Sequence, residues 1–169
     1  MTEDELPDWD WIVERHAERV FRVALRILRS VQDAEDVSQD VFTEAFRLHK
    51  AGPVQSWTGL LVRLATLRSL DGLRRNRQSV QLRECDRMST VEPLDELESR
   101  ELAHRLRAAI AQLPDQQATV FVMHYFEQLP RDQISATLGV SPEAVSTALY
   151  KARQRLLAEL AVFKQGDRK

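Results

Sequence analysis

The chain has 169 residues, 43% of them hydrophobic and 30% charged, the balance of a soluble globular protein with a real core. No apolar run approaches the roughly 20 residues of a membrane span, and few glycines with no alternating Val/Ile/Thr runs argue against a sheet. The net charge of −2 is low for a free-standing DNA-binding protein, which usually carries a basic excess, so a larger partner is expected to supply much of any grip on DNA.

Residues 1–10 are acidic and lack an apolar stretch, so they do not read as a signal peptide. The first predicted helix covers 9–29. Its apolar face holds Trp9, Ile12, Val13, Val20, Ala24, Ile27 and Leu28, while Arg15, Arg19, Arg22, Arg26 and Arg29 lie largely elsewhere. A short turn over 30–33 leads to a second helix over 34–49, with Asp33 as its expected N-cap and acids in its first turn, where the helix dipole favours them. Ala34, Val37, Val41, Ala45 and Leu48 form one stripe, and Asp33, Asp36, Asp40, Glu44 and Arg47 form an adjacent one. The acid row reads either as a solvated face or as a docking face for a basic partner helix.

Gly52-Pro53 marks a loop over 50–55, and Ser56 is placed to cap a long third helix over 57–77. Trp57, Leu60, Leu61, Leu64, Ala65, Leu67, Leu70 and Leu73 make its apolar side; Arg63, Arg68, Arg74, Arg75 and Arg77 make its basic side. Such a helix, with Trp57 at its start, can hold single-stranded nucleic acid by charge and stacking. Equally, Trp57 can be core and the arginines solubilising. Residues 78–93 have no clean period and read as an interdomain linker. They contain Cys85, the chain's one cysteine, which excludes an intrachain disulfide and a multi-Cys zinc site and fits a reducing cytoplasm.

Helices are predicted again over 94–112, with Leu97, Leu102, Leu106 and Ala109 apolar, and over 115–127, where Ala118, Phe121, Val122 and Tyr125 share a face. His124 has no second ligand at helical spacing and reads as a structural or surface histidine rather than a ligand. Residues 132–155 then read as a helix-turn-helix. Ile134 and Leu138 lie one turn apart; Gly139 supplies the left-handed C-terminus; Val140 plugs the angle; Ser141 caps and Pro142 opens the second helix. Val145, Leu149, Ala152 and Leu156 form its buried stripe. Glu143, Ala144, Ser146, Thr147, Tyr150 and Lys151 are left facing outward, which suits insertion into a major groove. A helical hairpin without nucleic acid satisfies the same pattern, and such units also serve protein contacts. Residues 164–169 read as a frayed basic tail. The expected fold is therefore all-α: two small helical domains, 9–77 and 94–163, joined by a linker over 78–93, the C-terminal one a helix-turn-helix.

Three stretches in this order resemble the extracytoplasmic-function (ECF) sigma factors of bacterial RNA polymerase, and the resemblance covers nearly the whole chain. Residues 33–42, Asp-Ala-Glu-Asp-Val-Ser-Gln-Asp-Val-Phe, are similar to the acidic-Gln-acidic-Phe helix of that family's first domain. Residues 57–65, continuing to Asp71 and Arg74-Arg75, resemble its promoter-reading helix. Leu113-Pro114-Asp115-Gln116-Gln117, Val120-Phe121, Tyr125-Phe126 and the helix-turn-helix down to Arg153 resemble its last domain.

The resemblance implies that Asp36, Gln39, Asp40, Phe42 and Glu44 dock on the clamp helices of the polymerase β′ subunit. It implies that the loop over 49–56 with Lys50, Ser56 and Trp57, and the helix through Arg63, Arg68, Arg74 and Arg75, capture the minus-10 element. Ser141, Pro142, Glu143, Ala144, Ser146, Thr147, Tyr150, Lys151 and Arg153 would enter the minus-35 major groove. The implied partners are core RNA polymerase, through the β′ clamp helices and the β flap, promoter DNA, and an anti-sigma factor holding the two domains; no membrane contact of the chain's own is implied. The chain departs from the family at Leu60, where Trp is usual, at Leu67, where Asn is usual, and at Ser146 and Ala148, where basic residues are frequent. Leu67 cannot hydrogen-bond a base or phosphate, and each lost phosphate contact weakens binding and flattens its salt dependence.

The chain carries no glycine-rich phosphate loop, nucleophile–base pair or metal cluster that can be placed from sequence, so a cytoplasmic, cofactor-free, non-enzymatic promoter-specificity subunit is expected. The alternatives are a free-standing helix-turn-helix regulator, whose usual sign is a dimer on a palindrome, and a sigma-like adaptor or decoy that has lost DNA reading.

Overall fold

The computed structural model describes residues 8–80 and 94–166. The acidic start over 1–7, the linker over 81–93 with Cys85, and the tail over 167–169 lie outside the described residues. Among those described, seven α-helices and no strands are formed: α1 Trp9–Leu28, α2 Val31–Ala51, α3 Trp57–Val80, α4 Leu94–Ala111, α5 Asp115–Tyr125, α6 Arg131–Leu138 and α7 Pro142–Gly166.

The first three helices pack around one another. α1 buries Ile12, His16, Val20, Val23, Ala24 and Ile27, at the three- and four-residue steps that put side chains on one helical face. It ends where Arg29 turns left-handed, at φ 58°, and donates its N–H to the Leu25 carbonyl at 2.9 Å. The cap of α2 is Ser30, not Asp33: the Ser30 Oγ accepts from the Asp33 N–H at 3.3 Å, and Asp33 sits in the first turn, where its charge still favours the helix dipole. Ala34, Val37, Val41 and Ala45 are buried as the periodicity demands, but Leu48 at the end of the stripe is exposed. Ser56 caps α3, accepting from the Gly59 N–H at 3.2 Å.

At the junction of these three helices the aromatic rings of Trp9, Phe42, Phe46, His49 and Trp57 gather, with Trp9 5.0 Å from Phe46 and 6.1 Å from Trp57, centroid to centroid. Edge and offset arrangements of this kind add to the area the rings bury.

α5 and α6 both pack on α7. Gly139 is left-handed at φ 63°, which a residue without Cβ adopts at no steric cost, and the Val140 N–H returns to the Ser135 carbonyl at 3.2 Å. Ser141 caps α7 by accepting from the Ala144 N–H at 3.1 Å. Val145, Leu149, Ala152 and Leu156 are all buried against Ile134 and the α5 side chains of the same core.

α3 is the helix that both halves share, since it packs against α1 and α2 and also against α4, α5 and α6. This explains a burial pattern that its amphipathic reading does not contain. Beside Leu61, Ala65 and Leu70, the helix buries Val62, Thr66 and Ser69 completely. Thr66 satisfies its hydroxyl on the Val62 carbonyl at 2.8 Å, within the helix itself. Gly59, Val62, Thr66, Leu70 and Arg74 step along one line of the helix by three and four residues. At one end of that line Gly59 meets α6, where an added Cβ would come 2.5 Å from the Thr137 carbonyl oxygen. At the other end the Arg74 Nε donates to the Ala111 carbonyl at 2.7 Å, at the close of α4.

Besides Leu48, two apolar side chains expected in the core are outside it. Leu102 on α4 and Tyr125 at the end of α5 are both exposed. Tyr125 is needed elsewhere, because its hydroxyl accepts from the Arg153 Nε at 2.6 Å.

Candidate polymerase and DNA interfaces

The acid face of α2 follows from its register. With Ala34, Val37, Val41 and Ala45 turned inward, Asp36, Gln39 and Asp40 lie in solvent. Phe42 is half-buried, its ring edge-on to Trp9 at 6.2 Å, so the cluster holds it beside the acids. Glu44 is not free in the same way: Arg68 of α3 donates its Nε to the Glu44 carboxylate at 3.0 Å. That hydrogen bond and the adjacent charge push the Arg68 pKa above its ordinary value. One residue expected to meet polymerase and one expected to meet DNA are thus paired with each other across the α2–α3 junction.

The other residues expected at the minus-10 face divide into three sets. Lys50 is exposed and sits over the Phe46 ring at 4.4 Å, and Arg63 and Arg75 are exposed without a described partner. Ser56 and Trp57 are half-buried; the first is occupied as a helix cap and the second belongs to the aromatic cluster. Arg74 is half-buried and held within the chain, donating to the Ala111 and Leu113 carbonyls at 2.7 and 3.4 Å and lying 3.0 Å from Asp71 and 3.7 Å from Asp115. Leu67 is half-buried, as an apolar side chain at that register would be.

The start of α7 presents Ser141, Pro142, Glu143, Thr147, Tyr150 and Lys151 to solvent, with Ala144 and Ser146 half-buried beside them. Tyr150 is 63% exposed, an aromatic with nothing of its own chain to cover it. Arg153 does not extend freely: besides its hydrogen bond, its guanidinium lies 5.6 Å from the Tyr125 ring. Ala148 is buried, so its small size serves the packing of α7 and a basic residue there would have to leave the core. The exposed surface carries an acid, Glu143, and a cation, Lys151, about two turns apart along α7. Hydroxyl, carboxylate and ammonium groups on the first turns of a braced helix are what a major groove can pair with.

Glu127 was not singled out from sequence. Its side chain is 2% exposed and lies among three cations of α1: Arg19 at 3.2 Å, Arg22 at 3.5 Å and Arg26 at 3.8 Å. Arg26 also donates to the Phe126 carbonyl. The only hint in the sequence was the row Arg19, Arg22, Arg26 at helical spacing, with too few acids on α1 itself to satisfy it. No group of three or more His, Cys, Asp or Glu side chains among the described residues is placed to hold a metal.

The fold and these surfaces define an all-helical protein in which a helix-turn-helix packs beside a three-helix unit with acidic and basic faces. Residues 12–79 match the family described as Sigma-70 region 2, and residues 103–156 match Sigma-70, region 4. Among curated relatives, the ECF RNA polymerase sigma factor SigE of Mycolicibacterium smegmatis is 33% identical over 161 residues, covering 92% of this chain and 63% of the relative. SigW of Bacillus subtilis, also an ECF RNA polymerase sigma factor, is 25% identical over 163 residues, covering 88% of this chain and 87% of the relative. This chain thus spans less than two thirds of the length of the first of these. Among solved structures, CnrH in complex with the cytosolic domain of CnrY shares the fold, with a TM-score of 0.56 at 21% identity over 91% of this chain and 88% of that one. RpoE in complex with the anti-sigma factor NepR from Bartonella quintana does so with a TM-score of 0.52 at 16% identity, over 93% and 99%. The chain belongs to the sigma-70 family of RNA polymerase sigma factors, and within it to the ECF type.

Proposed function

We propose that this chain is a promoter-specificity subunit that binds core RNA polymerase and directs initiation through a minus-10 and a minus-35 element. The observation that carries the reading is the co-occurrence, in family order, of region 2 and region 4 on one chain. In this reading Asp36, Gln39 and Asp40 supply an acidic docking face for basic helices of the polymerase clamp, with Phe42 and Glu44 at its margin, and α7 contacts the β flap as well as DNA. The loop over 49–56 and the cations of α3 hold the separated strand of the minus-10 element by backbone charge and ring stacking. Ser141, Glu143, Thr147, Tyr150 and Lys151 read the minus-35 groove, with Pro142, Ala144, Ser146 and Arg153 shaping that end of the helix.

The low net charge fits a protein that borrows most of its hold on DNA from a larger assembly. No helix among the described residues is long and apolar enough to cross a membrane, and we place the protein with its polymerase in the cytoplasm. We also propose an anti-sigma factor as a partner, since one structural neighbour, RpoE, was solved in complex with the anti-sigma factor NepR.

The test is run-off transcription with purified core polymerase on genomic fragments, with and without the protein. New transcripts sharing two upstream elements support the reading. Tight core binding without transcripts points to a decoy, and absence of core binding refutes the sigma reading.

A further inference from the structure

Among the described residues two that are not glycine hold a positive φ, Arg29 at 58° and Gln128 at 55°. Both line one cleft of about 310 Å³, formed by the end of α1, the second half of α4 and the chain at the end of α5. Left-handed backbone costs an L residue free energy that glycine does not incur, and such outliers gather at functional sites. Arg29 ends α1 and Gln128 follows α5, positions where glycine serves at lower cost. A long polar residue stands at both instead.

The cleft gathers cations without an anion. Arg26 lines it but is already held, by the Phe126 carbonyl and by Glu127 at 3.8 Å. Arg29 and Arg107 line it too, and among the described residues neither has a carboxylate within ion-pair distance or an acceptor for its donors. Elsewhere on the surface arginines have found acids, Arg68 with Glu44 and Arg105 with Glu101. Arg107 is half-buried; burial first, then the charge of Arg29, pull its pKa below its ordinary value. A half-buried guanidinium with five donors and no partner is a group that calls for an acceptor. The rest of the wall is apolar, with Leu106 beside Tyr125 and Phe126. Phe121 packs against both rings, at 4.6 Å and 6.4 Å between centroids, and so fixes that wall before any ligand arrives.

We propose that this cleft binds a small phosphorylated ligand with a planar ring, the chemistry of a nucleoside diphosphate, with Arg29 and Arg107 on the phosphates and Leu106, Tyr125 and Phe126 against the base. Guanidinium forks match phosphate oxygens in pairs, and two cations side by side suit two phosphates better than one carboxylate. Gln128 adds a donor and an acceptor at the same cleft, enough to meet a ribose hydroxyl or a base edge. An inorganic anion alone would satisfy the charge and leave the apolar wall bare. No residue lining the cleft is among those assigned to polymerase or DNA, so the site is separate from the proposed function.

Equilibrium dialysis of the full chain against radiolabelled ADP and, separately, GDP tests the site. At least one should bind, and inorganic pyrophosphate and the free nucleoside, each carrying one half of the ligand, should compete at least about tenfold more weakly. Arg29→Asn and Arg107→Gln should each weaken binding about tenfold, the loss expected for one charge-assisted contact. Asn tolerates the left-handed backbone and Gln the helix interior, so far-ultraviolet circular dichroism should match the parent. Arg131→Gln removes an exposed cation at the start of α6, which does not line the cleft, and should bind as the parent does. Absence of binding by either nucleotide overturns the proposal on the parent chain alone. Pyrophosphate binding as tightly as the nucleotide overturns the planar-ring half of it. Unchanged affinity in the Arg29 and Arg107 variants, or an equal loss in Arg131→Gln, places the nucleotide elsewhere on the surface and overturns the site.

Discussion

Ser141 joins the turn of the helix-turn-helix to α7, and its hydroxyl has two possible duties that substitution can separate. The Oγ accepts from the Ala144 N–H at 3.1 Å, satisfying one of the amides that the first turn leaves without an intrahelical partner. Removing it in Ser141→Ala should cost about 1 kcal/mol, the usual loss for an N-cap hydroxyl, because the side chain is exposed and no cavity is created. With a urea slope of about 2 kcal/mol per molar, that is a midpoint lower by about 0.5 M. Ser141→Gly should cost only a few tenths of a kcal/mol, and Ser141→Asp should be about as stable as the parent, since both are accepted caps. Duplex binding follows a different order. Ser141→Asp keeps the cap but sets a negative charge beside the expected phosphates, so it should lose affinity while keeping stability. Urea denaturation followed by circular dichroism, with minus-35 duplex binding measured on the same preparations, distinguishes the two orders. A Ser141→Ala variant with the parent's midpoint would refute the capping argument, and a Ser141→Asp variant with the parent's duplex affinity would refute the placement of this turn at DNA.

Leu149→Ala removes a side chain that is 1% exposed in the α7 stripe, and should cost about 3 kcal/mol, lowering the thermal midpoint by roughly 6–12 °C in calorimetry. His16 is buried, and burial first, then the charges of Arg19 and Arg15, pull its pKa below the usual histidine value. The unfolded chain therefore binds the extra proton first: this contribution is whole above about pH 6.5 and is lost as pH falls below it toward the folded value. His16→Gln should flatten the stability profile between about pH 7 and 5, as read by urea midpoints across that range. Lys151→Ala should weaken duplex binding evenly across sequences and reduce the salt slope by about one ion, measured by titration at several salt concentrations. An unchanged slope would place Lys151 away from phosphate.

What could be read from sequence was what is local in sequence. The α7 stripe, the left-handed Gly139 and the Ser141 cap each depend on residues within about two helical turns, and each is present. The choice of Ser30 over Asp33 as the α2 cap was not legible, because both are good caps three residues apart and only the entry path of the chain from α1 decides between them. The second buried face of α3 was hidden because two of its members, Thr66 and Ser69, are polar and carry no apolar signal. α3 packs on α4, α5 and α6 as well as on α1 and α2, and those later helices lie far along the chain. The same distance concealed Glu127, whose partners Arg19, Arg22 and Arg26 precede it by about a hundred residues. The expected contacts with polymerase and DNA came from resemblance alone; the structure adds that Glu44, Arg68, Arg74 and Arg153 already have partners within the chain.

The aromatic cluster at the start of α1 has an optical consequence. The chain's three tryptophans, Trp9, Trp11 and Trp57, all belong to the first half, and its two tyrosines, Tyr125 and Tyr150, both belong to the second. Trp9 and Trp57 lie 6.1 Å apart with His49 against both, so their emission reports on the junction of the first three helices. Tyrosine absorbs at shorter wavelength than tryptophan and can pass its excitation to it over short distances. The native chain therefore holds its light donors in one half and its acceptors in the other. Separation of the halves is written into its ultraviolet fluorescence, without a label being attached.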